Sequence, residues 1–222
     1  IGGENNDAAG NNAGHARVYE FSNNSWSQVG SDIDGEAAGD LFGLSVSLDS
    51  DGSHVAIGGE ENDAAGNNAG HAQVYEFSNN SWSQLGSDID GEAAGDLFGG
   101  SVDLDFDGSH VAISGQENDG GGSNAGYLRV LEYNGTRWRE VGYDINGGGS
   151  DDYFGASVSI DSAGNRVAGG GPGENVTGYA RILNPIDAVE PDVIATALAA
   201  DNSYVDITWD EKIYSTVNAT GD

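Results

Sequence analysis

The sequence predicts an all-β chain built from repeated four-stranded units, and three observations predict it. Gly is abundant at 37 of 222 residues and Pro scarce at 3, without a collagen period, a composition of short strands and tight turns. The chain is also periodic at 56 residues: Trp26, Trp82 and Trp138 fall on that interval, as do Phe42, Phe98 and Phe154, and Val55, Val111 and Val167. Within each unit, apolar residues alternate at period two between turns rich in Asp, Asn and Gly.

The units are residues 1–56, 57–112 and 113–168, with a partial fourth at 169–184. The first two differ at six positions. In the first unit, "HARVYEF" (15–21) is apolar on both faces, as a strand packed between two neighbouring sheets must be. The polar turn "SNNS" leads to a second strand, "SWSQVGSDI" (25–33). Next, "FGLSVSLD" (42–49) alternates Leu44, Val46 and Leu48 with Ser45, Ser47 and Asp49. The Asp-Gly turn in "DSDGS" then folds it back onto "HVAIGG" (54–59). Gly43, Gly99 and Gly155 remove a side chain where inner strands crowd, and Phe42, Phe98 and Phe154 wedge between sheets.

Four strands in a unit of this length, repeated, suit a β-propeller blade. At this level the repeat resembles the FG-GAP family, found in integrin-α propellers and secreted microbial proteins. The resemblance lies in the "FG" at 42–43, the following "SVSLDSDG", "AIGGE" at 56–60 and "GHARVYEF", with Gly39-Asp40 and Gly95-Asp96 before the "FG" as in the microbial variant. It covers residues 1–184. The family's strand order implies the tail of one blade, two whole blades at 42–90 and 98–145, and three strands of another at 154–183. A closed propeller takes about 4–8 blades. Either the terminal strands close on each other, or further chain supplies the rest, or a second copy does; further chain is the expectation.

Pro185 and Pro191 bracket a linker at 185–192. Beyond it, 193–222 reads as two strands joined at "ADNS", with Val205, Ile207 and Trp209 alternating with Asp206, Thr208 and Asp210. This resembles the opening of an Ig-like β-sandwich module of bacterial surface proteins, too short to bury a core alone.

Seven basic residues against 37 acidic ones give a formal charge of −30, which excludes a nucleic-acid partner and attraction to anionic lipid. No apolar run approaches a membrane span of about 20 residues. Cysteine is absent, so disulfides and thiolate metal sites are excluded. The chain lacks an initiator Met and a signal peptide and reads as processed or partial.

Three sets of residues are candidates for chemistry. Calcium takes six to eight hard oxygens from a short loop. Asp103, Asp105 and Asp107 before Gly108 look like the integrin-type calcium loop, although the pattern runs one residue short and places His110 near the next ligand position. Only Asp49, Asp105 and Asp161 persist in all three units, so a turn competes with the metal reading. The second calcium candidate is the acidic loop with Asp32, Asp34, Glu36 and Asp40, repeated as Asp88, Asp90, Glu92 and Asp96 and kept in part as Asp144, Asn146 and Asp152. A solvated acidic loop is its alternative.

Trp26, Trp82 and Trp138 suit either sugar stacking or outer-strand packing. Sequons stand at Asn23, Asn79, Asn134, Asn175 and Asn218. His15 and His71 become Tyr127 and Tyr179 in later units, which marks them as packing aromatics. No triad, P-loop or nucleotide fingerprint occurs. The expected function is therefore non-enzymatic: an extracellular or cell-surface structural or adhesion module of a larger surface or fibrous protein, stabilised by calcium. Its partners would be other proteins, copies of itself, or glycans. The alternatives are a homopolymeric fibre subunit joined by strand exchange and a lectin-like carbohydrate binder.

Overall fold

The computed structural model describes residues 1–173 and 178–184, together with the backbone of 193–198 and 205–209. These residues form an all-β structure of several antiparallel sheets, with no helix among them.

Strands β1 (His15–Ser22) and β2 (Ser25–Asp34) make the first hairpin. Asn23 and Asn24 both adopt left-handed φ of 49° and 64°, the primed turn that matches strand twist, and Asn79 and Asn80 repeat it. The next sheet contains β3 (Ser45–Leu48), β4 (His54–Gly59), β5 (His71–Ser78) and β6 (Ser81–Gln84), in that order. Strand β7 (Ile89–Asp90) resumes the outer edge on β5 after a break. The same plan recurs in β8 (Phe98–Leu104), β9 (His110–Gly115), β10 (Tyr127–Tyr133), β11 (Trp138–Glu140) and β12 (Ile145–Asn146). Strands β13 (Ser157–Ile160), β14 (Val167–Gly171) and β15 (Tyr179–Leu183) form a three-stranded sheet. Finally, β16 (Val193–Leu198) pairs with β17 (Val205–Trp209). The two larger sheets thus each begin near the "FG" of one sequence unit and end at the Trp strand of the next.

The hydrophobic cores lie between sheets. One joins Ala16, Val18 and Ile33 of the first hairpin to Phe42, Val55 and Ile57. The next joins Ala56, Ala72 and Val74 to Phe98, Val102 and Ile113, and the third joins Ala112, Leu128 and Val130 to Phe154 and Ile160. Strand β4 shows why: Val55 and Ile57 point to one seam and Ala56 to the other, so period two feeds two cores. Phe42, Phe98 and Phe154 are fully buried. Gly43 and Gly99 have φ of 93°, and a Cβ there would collide with the carbonyl oxygen of His15 or His71.

One detail departs from the alternation read in the sequence. Val46 and Leu48, the apolar side of β3, are exposed, whereas their equivalents Val102 and Leu104 are buried. The inner strands β3 and β4 cover Val102 and Leu104, whereas among the described residues the sheet preceding β3 is formed by β1 and β2 and has no equivalent inner strands over Val46 and Leu48.

Candidate functional site

The Asp-rich turn builds a hairpin. The Asp105 carboxylate accepts the His110 backbone N–H at 3.0 Å, the Ser109 hydroxyl at 3.2 Å and lies 2.8 Å from His110 Nδ1. Asp49 repeats this with Ser53 and His54, and Asp161 accepts the amides of Asn165 and Arg166. The Ser109 hydroxyl, and then the Ser109 amide that Asp107 accepts, hold the Asp107 carboxyl below the ordinary range. Asp103 works between sheets: it accepts the Ser47 hydroxyl at 2.9 Å and the Ile160 amide at 2.8 Å. Ser47 in turn accepts the Leu104 amide and Ser101 the Val158 amide, so edge N–H groups of one sheet find side chains of the sheet before it.

The acidic loops are folded by their own backbone. Asp40 and Asp96, both buried, accept the amides of Ala37 and Ala93, and Asp96 also accepts the Asn118 amide group. Asp152 accepts the Tyr179 hydroxyl. Neither Asp32, Asp34, Glu36 and Asp40 nor Asp88, Asp90, Glu92 and Asp96 come together as a set of four. Among the described residues, two groups place their ligand atoms within 4.8 Å of one another: His15 with Asp32 and Asp34, and Glu36 with His71 and Asp88. The second joins two sequence units.

That seam differs from the next one. Between the second and third units Arg129 donates to both oxygens of Asp144 at 2.7 and 2.6 Å and to Glu92 at 2.5 Å. Its guanidinium lies over the rings of Phe98 and Tyr127. Burial opposes the Arg129 charge, yet the bonds and charge of Asp144 outweigh it and raise its pKa. In the first hairpin Arg17 pairs with Asp32 at 2.6 Å. At the same register the second unit has Gln73, which donates to Asp88 at 2.8 Å and brings no charge. Burial, then the charges of Glu36 and Asp88, push the neighbouring Tyr75 phenol up to about 12. His71, fully buried, packs edge-on against Phe42 at 5.7 Å, and neither ring nitrogen has a hydrogen-bond partner. Reading His71 as a packing aromatic accounts for its contact with Phe42 but not for these nitrogens. The signal available in the sequence was the Arg17, Gln73, Arg129 series at 56-residue spacing.

The three Trp residues occupy two environments. Trp82 Nε1 donates to the Val29 carbonyl at 2.8 Å and Trp138 Nε1 to that of Leu85 at 2.7 Å, each reaching the sheet before it. Trp26 is 66% exposed. Asn23, Asn79 and Asn134 are exposed in turns, the last accepting the Thr136 and Arg137 amides. Asn175 and Asn218 lie outside the described residues.

No family model matches the chain, and no curated protein matches it. Among solved structures it is similar to the crystal structure of TolB from Acinetobacter baumannii, at 11% identity and a TM-score of 0.46. That match covers 87% of this chain and 37% of the TolB chain. It is also similar to a proposed 6-phosphogluconolactonase from Bacteroides uniformis, at 9% identity and a TM-score of 0.34, over 96% of this chain and 75% of that one.

Proposed function

We propose that the chain is a non-enzymatic structural or adhesion module of an extracellular surface or fibrous protein, its sheets being four-stranded β-propeller blades of the FG-GAP type and 193–222 the start of an Ig-like module. One observation carries this reading: polar and aromatic side chains are committed, at a constant 56-residue spacing, to holding one sheet against the next. Each seam is a knob and a socket. Trp82 enters beside Gly30 (φ 73°), where a Cβ would meet its ring at 2.7 Å, and Trp138 enters beside Gly86. Such repetition is how stacked units sum small interfaces into one stable body.

A second reading, the head-to-tail fibre, draws on Trp26. It is the same knob on the face turned away from the second unit, and Phe21 and Ile1, 55% and 77% exposed, accompany it. Val141 offers the equivalent socket residue on the third unit. A heterologous contact of this kind closes into a ring or continues as a filament.

Light scattering on the isolated protein separates the two. A native mass near 22.7 kDa fits a discrete module, and a mass many times larger that Trp26→Ala returns to one chain fits the fibre. Protease treatment of intact source cells tests the location: a chain that survives it untouched would count against an extracellular role.

A further inference from the structure

We infer that the seam between the first two units is a transition-metal site, in which Glu36, His71 and Asp88 bind one divalent ion of the class that favours imidazole and carboxylate ligands, such as Mn²⁺, Co²⁺, Ni²⁺ or Zn²⁺. The ion occupies the position that Arg129 fills one seam later.

The ligand atoms of the three residues lie within 4.8 Å of one another. A tetrahedral ion with bonds of about 2.1 Å sets its ligands about 3.4 Å apart, a closure that the exposed Glu36 side chain can make. His71 is the observation that points to a ligand. It is completely buried, it belongs to the cluster, and both of its nitrogens lack a hydrogen-bond partner. A buried polar atom without a partner carries its full desolvation penalty, and a metal bond removes that penalty for one nitrogen.

Asp88 is already oriented for the role. Its Oδ1 accepts amide N–H groups from Gln73 at 2.8 Å and Gln84 at 2.6 Å, which fixes the carboxylate as outer-shell partners fix a metal ligand. Glu36 makes no hydrogen bond or ion pair among the described residues.

The repeat supplies its own control. At the following seam Glu92 and Asp144 are the same two carboxylates, and the Arg129 guanidinium joins them. Where that seam has Arg129 and Tyr127, this one has Gln73 and His71. The cation is removed and a nitrogen donor is added at the same place. Two facing carboxylates without a cation repel, so the exchange makes sense when a bound ion supplies the charge. One nitrogen with two oxygens suits borderline metals, whereas calcium and magnesium favour oxygen-only shells.

The test uses the whole chain, stripped with chelator and titrated with Zn²⁺ and Co²⁺ by calorimetry, melting temperature and the visible absorption of Co²⁺. One equivalent is expected to bind, raise the melting temperature and be reversed by chelator. Glu36→Gln, at an exposed position that cannot compromise folding, should weaken binding at least tenfold, as should His71→Tyr. Gln73→Arg should raise the melting temperature of the metal-free protein and abolish the metal response. Absence of a response to either ion overturns the proposal. So does equal binding by all variants, which would mark diffuse attraction to the acidic surface. A pH-dependent rise in stability that needs His71 but no metal would overturn it in favour of a protonated imidazole.

Discussion

Replacing Arg129 by Gln, the residue of the preceding unit at this register, should cost about 2–3.5 kcal/mol, a figure built from bonds to charged groups that are each worth more than neutral ones. Its side chain is 11% exposed and binds both oxygens of Asp144, itself 19% exposed, so this pair is largely shielded from solvent. The bidentate pair contributes about 2–3 kcal/mol. Glu92 is 53% exposed and its contact contributes about 0.5 kcal/mol. Stacking over Phe98 and Tyr127, at 5.8 and 5.5 Å, adds about 0.5–1 kcal/mol. Gln at this position still donates one bond to Asp144, as Gln73 does to Asp88, and restores about 1 kcal/mol. Urea unfolding followed by Trp fluorescence should show a lower midpoint at an unchanged slope, since the surface buried in the folded state is the same. Arg17→Gln removes a half-exposed pair at the equivalent register and should cost less. Equal losses in the two variants would refute the argument that burial of the seam gives the pair its strength.

Four further outcomes follow from the same geometry. Trp138→Phe should lose about 1 kcal/mol through its bond to the Leu85 carbonyl, while Trp26→Phe, exposed, should leave monomer stability unchanged; equal effects in urea would contradict the knob-and-socket account. Asp103→Ala should cost about 2 kcal/mol by stripping partners from the Ser47 hydroxyl and the Ile160 amide, and Asp103→Ser, the residue found at Ser47 and Ser159, should recover part of it. Stability should peak in mild acid. Burial followed by the charges of Glu61, Glu4 and Glu117 raises Glu60, and burial followed by Asp144 raises Glu140, so the folded chain binds more protons than the unfolded one and gains stability as pH falls from 7. Asp51 and Asp107 are held low by Ser53 and Ser109, so their contribution is present above about pH 4 and is lost as pH falls through their lowered values. A urea midpoint that declines steadily from pH 7 to 5 would reverse that sign. Calcium should raise the melting temperature less than zinc does, because Asp40, Asp96, Asp103 and Asp105 already hold protein donors; a larger calcium shift would restore the acidic loops as its site.

Local chemistry was legible from the residues themselves. The run "HVAIGG" is β4 (His54–Gly59) and recurs as β9 (His110–Gly115), because alternation and the Asp-Gly turn act within a few residues. The turn reading of Asp49, Asp105 and Asp161 rests on the same short range, since each carboxylate bonds amides four or five positions later. The acidic loops were harder to read. A spacing of 1, 3, 5 and 9 says which oxygens are near in sequence, but Asp40 turned to its own loop amide and Asp32 to Arg17. Spacing does not report which competing donor a carboxylate will meet.

The sequence by itself determined the all-β character, the 56-residue unit and its turns, because those depend on periodicity and on residues that prescribe their own backbone angles. Tertiary structure alone decided that Val46 and Leu48 stay exposed while Val102 and Leu104 are buried, that Trp26 stands open while Trp82 and Trp138 are engaged, and that Glu36 meets His71 and Asp88. Identical local patterns took different fates there because burial and pairing depend on which neighbouring sheet is present. A repeated sequence cannot encode that difference within a single unit.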